Sequence, residues 1–186
     1  ELERVLETIR KLNQISGNGF TKHVLSPAPV LVSLRDTFER IISALKQGNL
    51  LEQVTLVDSI PNDLPPVAVP SVDLEEIFFN LVVNASQAML EGGWLVIEAF
   101  LKRAPRGTVC ISFRDTGRGI SSEALPYIFD PFYTGRPEEG GTGFGLYIVK
   151  KLVERSGGSI EVRSTLGVGT RFTLTFPMRE DASKVG

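Results

Sequence analysis

Glu76, Asn80 and Asn84 recur at intervals of four in the stretch DLEEIFFNLVVNASQAM. On a helix that spacing stacks them along one face. Leu74, Ile77, Phe78, Leu81 and Val82 surround them, and an amide buried among such side chains without a partner costs about 1–3 kcal/mol. Two asparagines here therefore need partners, supplied by a neighbouring loop or by a ligand. An amide oxygen is a suitable neutral ligand for magnesium, which keeps several waters and leans on substrate phosphates. A shortage of carboxylates beside the pair is no objection to such a site.

A second group lies in RDTGRGI, Arg114 to Ile120. Asp115 closes a strand, and Gly117 and Gly119 hold the chain in an open curve. A carboxylate does not bind phosphate, but it accepts the exocyclic amine of adenine, where guanine presents a carbonyl instead. The glycines would keep side chains away from a flat base. An Asx-turn accounts for the same residues without any ligand.

The third group is GGTGFGLYIVKKLV, Gly140 to Val153, in which Gly141, Gly143 and Gly145 alternate before a helix begins. Amides at a helix start are unpaired and carry partial positive charge. Bare backbone there makes an anion cradle. A Walker A loop requires a lysine that is missing here, and the spacing and context of a dinucleotide fingerprint are wrong. Before this stretch lies FDPFYTGRPEEGG, Phe129 to Gly141, aromatic at one end and polar at the other. That pattern suits a lid whose aromatic end docks and whose tip moves. Arg136 could reach a phosphate or belong to plain surface. In LGVGTRF, Leu166 to Phe172, the hydroxyl of Thr170 could join a water network under a base, or serve only a hairpin strand.

Holding these groups together calls for helices and strands in alternation. Apolar spacing predicts helices at Val32–Lys46, Val72–Met89 and from Gly143 to about Arg155, with a short helical piece at Ser122–Ile128. In the last long helix Ile148, Val149, Leu152 and Val153 should face the core, and Lys150, Lys151, Glu154 and Arg155 the solvent. Strands are expected at Glu52–Ser59, Trp94–Leu101, Thr108–Arg114, Ser159–Ser164 and Gly169–Phe176, with turns near Pro105–Gly107 and Leu166–Gly167. Such interleaving predicts a two-layer α/β sandwich, a mixed sheet with helices on one face. Leu2, Val5, Leu6, Ile9 and Leu12 form one more helical stripe, which could close the domain's own core or end an interchain bundle. The expected division is a helical segment 1–19, a linker 20–30, an α/β unit 31–179 and a frayed tail 180–186.

The bulk properties narrow the function. A net charge of −2 over 186 residues gives no reason to expect nucleic acid as the main partner. The single cysteine, Cys110, excludes an internal disulfide and fits a reducing compartment, where a buried inert thiol is expected. No apolar run is long enough to cross a bilayer. The chain starts without methionine and already in helical pattern, as an excised piece of a longer protein would.

In this order the segments resemble the ATP-binding domain shared by sensor histidine kinases, DNA gyrase, the Hsp90 chaperones and the MutL mismatch-repair proteins, and the histidine kinase branch most. The N box is NLVVNASQA, Asn80 to Ala88; the first glycine box is Asp115 to Gly119; the F box is Phe129 to Phe132; the second glycine box is Gly141 to Leu146; the last is Gly167 to Thr170. The resemblance covers about residues 30 to 179. It implies that Asn84 ligates magnesium and that Asn80 lies near the phosphates, where hydrolysing relatives carry a glutamate as general base. Glu76 would assist through water, and Asp115 would read adenine. Gly141, Gly143 and Gly145 would offer amides to the phosphates. Gly117, Gly119, Ile120, Phe132, Arg136, Thr142, Phe144, Leu146 and Thr170 would complete the ATP site.

Two positions depart from the family pattern. Gln87 stands where many members place a lysine, and Phe144 replaces a common leucine. The phosphoacceptor histidine of such kinases sits in a helical His-Glu motif. The only histidine here is His23, in FTKHVLSP, and it reads as a surface or linker residue. The resemblance thus implies transfer from Mg·ATP to a histidine on an upstream dimeric helical domain, then to a response regulator receiver domain, within a homodimeric parent whose ATP-binding part is cytoplasmic. A serine/threonine kinase of the anti-sigma factor kinase type remains an alternative, as does a nucleotide-binding module without transfer activity. A topoisomerase-like or chaperone-like ATPase predicts glutamate at position 80.

Overall fold

The computed structural model describes residues 31–102, 107–135 and 143–178. The expected helix and linker over residues 1–30, His23, the start of the turn near Pro105, Arg136, Gly141, Thr142 and the tail from 179 lie outside them.

The first helix, α1 (Leu34–Gln47), is capped by Ser33, whose Oγ accepts the Asp36 amide at 3.2 Å. It buries Leu34, Phe38, Ile41, Ile42 and Leu45 along one stripe. The Arg35 guanidinium ties this helix to the following strand β1 (Val54–Ser59) by bonding the Asp58 carboxylate and the Ile60 carbonyl. Pro70 precedes α2 (Ser71–Ala88), the longest helix. Its mean composition is apolar because α1, the sheet and a third helix all pack on it, as the buried Leu74, Ile77, Phe78, Phe79, Leu81, Val82 and Ala85 show.

Two antiparallel strands follow, β2 (Gly93–Lys102) and β3 (Thr108–Asp115). After a turn and a single 3-10 turn (Leu125–Tyr127) comes α3 (Gly145–Arg155), then the hairpin β4 (Ser159–Thr165) and β5 (Gly169–Pro177). The sheet order is β1-β2-β3-β5-β4, with β1 parallel to β2 and every other pair antiparallel. The sheet is mixed, as expected. Leu95, Ile97 and Ala99 of β2, Ile111 and Phe113 of β3, and Phe172, Leu174 and Phe176 of β5 form the buried inner face. On the other face Trp94 and Phe100 are exposed. The helices therefore cover one side only.

Several boundaries moved. β1 begins at Val54, two residues later than expected. Ser122–Ile128 is largely turn. α3 starts at Gly145 because Gly143 has φ +69, outside helical torsions, and its backbone presses on Phe132. No described helix is long and apolar enough to cross a membrane.

Candidate functional site

The end of β3 places Asp115 on the inner, helix-facing side of the sheet, where it is only 6% exposed. Its Oδ1 accepts two backbone amides, Gly117 at 2.8 Å and Thr170 at 3.2 Å. The first is the Asx-turn bond, so the turn exists whether or not a ligand binds. Burial pushes the carboxyl above the usual carboxylate range, and the two amide bonds partly oppose it.

The glycines beside Asp115 have a steric reason of their own within the fold. A Cβ on Gly117 would fall 2.6 Å from the Ala88 carbonyl oxygen, and one on Gly119, at φ +68, would fall 2.1 Å from that of Thr165. They are there so that backbone can approach backbone. The loop is pinned accordingly: the Arg118 amide donates to Ala88 O at 3.0 Å and the Gly167 amide to Arg118 O at 2.7 Å. Ile120, half-buried against the core, donates its amide to Ser164 Oγ at 2.8 Å. Ser164 also lies 2.9 Å from Gly169 O and 2.8 Å from Thr170 Oγ1. The Thr170 hydroxyl is thus engaged with protein.

The asparagines of α2 meet the first turn of α3. A Cβ on Gly145 would stand 2.9 Å from Asn80 Oδ1 and 3.9 Å from Asn84 Nδ2. Asn80 turns its Nδ2 back to Glu76 O at 2.8 Å. Asn84 Nδ2 is buried and has no hydrogen-bond partner. Turning that amide over exchanges its nitrogen and oxygen, so the unsatisfied position can present an oxygen. Among the described residues no three His, Cys, Asp or Glu side chains cluster to hold a metal. A hard cation at Asn84 would draw most of its ligands from water and phosphate, as magnesium does. The donor set fits that ion.

Glu76, one turn before Asn80, is held above the usual carboxylate range by burial and by Asp73, with Arg155 acting against them. Arg155 lies on the solvated face of α3, as expected, yet its tip reaches a buried partner. Its guanidinium bonds the Asp73 carboxylate, whose side chain is 7% exposed. Lys150 likewise sits 5.5 Å over the Phe129 ring.

Phe129 packs edge-on to Phe172 at 6.4 Å. Phe132 is exposed, adopts φ 67 and meets the Phe144 ring at 4.6 Å. A Cβ on Gly143 would come within 2.4 Å of the Phe132 backbone, so residues 132 and 143 bring the two ends of the intervening segment together. Leu146 packs against the core. Two clusters result, Asp115 with Gly117 and Thr170, and Asn80 with Asn84 and Gly145. Ala88, one turn beyond Asn84, joins them through its bond to Arg118.

Sequence reasoning passed over Ser164 and the Asp73–Arg155 pair. The alternation in SIEVRST held the clue to the first, since Ile160, Val162 and Ser164 share a strand face.

Residues 70–180 match the family described as histidine kinase-, DNA gyrase B-, and HSP90-like ATPase, and the chain belongs to that family. It is 33% identical over 151 residues to sporulation kinase E of Bacillus subtilis (strain 168), covering 81% of this chain and 19% of that protein. It is 33% identical over 147 residues to the sensor histidine kinase ZraS of Escherichia coli (strain K12), covering 79% of this chain and 30% of that protein. The chain therefore spans less than a third of the length of these relatives. In fold it is similar to the mycobacterial sensor histidine kinase MprB, at TM-score 0.68 and 22% identity over 81% of this chain and 99% of that one. It is also similar to full-length ShkA in complex with AMPPNP, at TM-score 0.70 and 23% identity over 93% of this chain and 35% of that one. The expected family and architecture are borne out: this is a histidine kinase-type ATPase catalytic domain.

Proposed function

We propose that residues 31–179 bind Mg·ATP and pass its γ-phosphoryl group to a histidine on a separate helical dimerisation domain, for relay to a response regulator. The observation that carries this reading is the buried, unpartnered amide of Asn84 beside the first turn of α3. An unsatisfied buried amide costs about 1–3 kcal/mol unless something completes it. Its place is one turn from the carbonyl that pins the loop after Asp115.

Asp115 takes the exocyclic amine of adenine, one carboxylate oxygen being free of the two amide bonds on Oδ1. Gly117, Gly119 and Ile120 shape the wall beside the base, and Thr170 flanks Asp115. Of the described residues, the amides from Gly143 to Leu146 meet the phosphates, with Phe132 and Phe144 bordering them, and the sequence adds Gly141, Thr142 and Arg136 to the same set. Asn84 holds magnesium, which when bound neutralises charge on the phosphate oxygens. Asn80 lies alongside and, being an amide, cannot take a proton from water. The phosphoryl group is thereby kept for an imidazole nucleophile rather than hydrolysed. Glu76 assists through water. The domain supplies position and charge, and little covalent chemistry.

Titration calorimetry with a non-hydrolysable ATP analogue tests the site. Binding should tighten with magnesium in the parent chain, and Asn84→Ala should lose that increment. In a kinase containing this chain together with its helical domain, label from radioactive ATP should be acid-labile. Acid-stable label would point to serine or threonine as the acceptor.

A further inference from the structure

The inner face of the sheet is built of lateral rows. Ile97, Phe113, Phe172 and Val162 form one, and Ala99, Ile111, Leu174 and Ile160 the next. Both are wholly apolar. The row at the other end breaks the pattern. Leu95 pairs with Asp115, whose carboxylate bonds the Thr170 amide, and Thr170 pairs with Ser164. Three polar side chains thus stand abreast on three adjacent strands, and Asp115 and Thr170 are buried.

Proton counting fixes the direction of the bonds. A serine hydroxyl has one proton and two lone pairs. Ser164 Oγ receives the Ile120 amide at 2.8 Å. The Gly169 carbonyl, 2.9 Å away, can only accept, so the one Ser164 proton goes there. Thr170 Oγ1, at 2.8 Å, must then donate to Ser164. This assignment satisfies every group and commits the Thr170 proton inside the protein. Any ligand group at Thr170 meets lone pairs only. Asp115 beside it is also an acceptor.

We propose that Ser164 is a positioning residue for base selection: it orients the Thr170 hydroxyl as an acceptor, so that Thr170 and Asp115 together favour a 6-amino purine over a 6-oxo purine. The assignment rests on the adenine-nucleotide reading of the site. A 6-amino group brings two donors to two acceptors. A 6-oxo group sets a third acceptor against them. Without Ser164 the Thr170 proton is released and can turn toward an oxo group. Ser164 touches no ligand in this scheme and acts through Thr170.

The test is calorimetric titration of the parent chain, Ser164→Ala, Thr170→Val and the double variant with ATP and with inosine triphosphate, in magnesium, after circular dichroism has verified folding. The parent should prefer ATP. Each single variant should lower the ATP-to-inosine-triphosphate affinity ratio about tenfold, as the loss of one directed hydrogen bond does. The double variant should fall no further, because the two residues act as one unit. Ser164→Thr, which keeps the hydroxyl, should retain the parent's ratio. If Ser164→Ala does not fold, Ser164→Cys replaces it under the same criteria, since a thiol is a poor donor and acceptor. An unchanged ratio in a folded Ser164 variant, even with both nucleotides weakened equally, would overturn the role of Ser164 and leave the ATP site standing. Additive losses in the double variant would overturn it as well. A parent chain with no preference for ATP would overturn both Ser164's role and the adenine reading beneath it.

Discussion

Gly145 opens α3 so close to Asn80 that a methyl group on it would stand 2.9 Å from the Asn80 amide oxygen. The contact couples a helix start to the polar face of α2. It also separates stability from binding in a testable way. Alanine is the better helix former by about 1 kcal/mol in a helix interior and by less at this first position, so Gly145→Ala should hold the thermal midpoint. The same methyl group intrudes on Asn80, and affinity for Mg·ATP should fall about tenfold or more, the equivalent of one directed hydrogen bond. Thermal unfolding and calorimetry on one preparation check both halves.

Asn84 makes a complementary case. Its buried Nδ2 has no partner to lose. Asn84→Ala should therefore leave stability unchanged or improve it, in contrast to the usual loss on removing a buried polar group. Thermal unfolding without nucleotide measures this. A drop of several degrees would show that Asn84 serves the fold.

Arg155 should behave in the opposite manner. Its guanidinium is the ion-pair partner of Asp73, a carboxylate enclosed between α2 and α3. Arg155→Ala leaves that carboxylate buried without its cation and should cost about 2 kcal/mol in urea unfolding. Arg155→Lys should recover only part of this, because a point charge replaces a planar fork.

The pH dependence follows from Glu76. Burial first and Asp73 second hold its folded pKa above the unfolded value, against the pull of Arg155. Between those two values the folded chain binds more protons than the unfolded one. Stability must therefore fall as pH rises through that window. Asp115, raised by burial, adds to the same slope. Glu76→Gln removes one of the two titrations. Its unfolding free energy should decline less steeply across the window and exceed the parent's above it. Urea melts at closely spaced pH values read this directly.

Much of this architecture was legible in the sequence because it is written in short periods. The four-residue interval of Glu76, Asn80 and Asn84 showed both the helix and the face that meets α3. The strand expected at Thr108–Arg114 is present as β3. Long-range approach was not legible. The sequence did not reveal that Gly117 and Gly119 also admit the backbone of Ala88 and Thr165. The pairing of the exposed Arg155 with Asp73 was not legible, because the two are distant in sequence and apposed only when α2 and α3 pack antiparallel. Ser164 was hidden by register, since only the pairing of β4 with β5 sets it beside Thr170. Torsions such as φ +69 at Gly143 depend on a neighbour, Phe132, that local pattern does not reveal.

The central claim is that Asp115 reads the adenine of a magnesium-bound triphosphate. Calorimetric titration of the parent chain and Asp115→Asn with ATP tests it most directly. The parent should bind ATP, and Asp115→Asn, still folded, should bind at least about tenfold more weakly, as expected when a charged acceptor is lost. Equal affinity in the two folded proteins would contradict the claim.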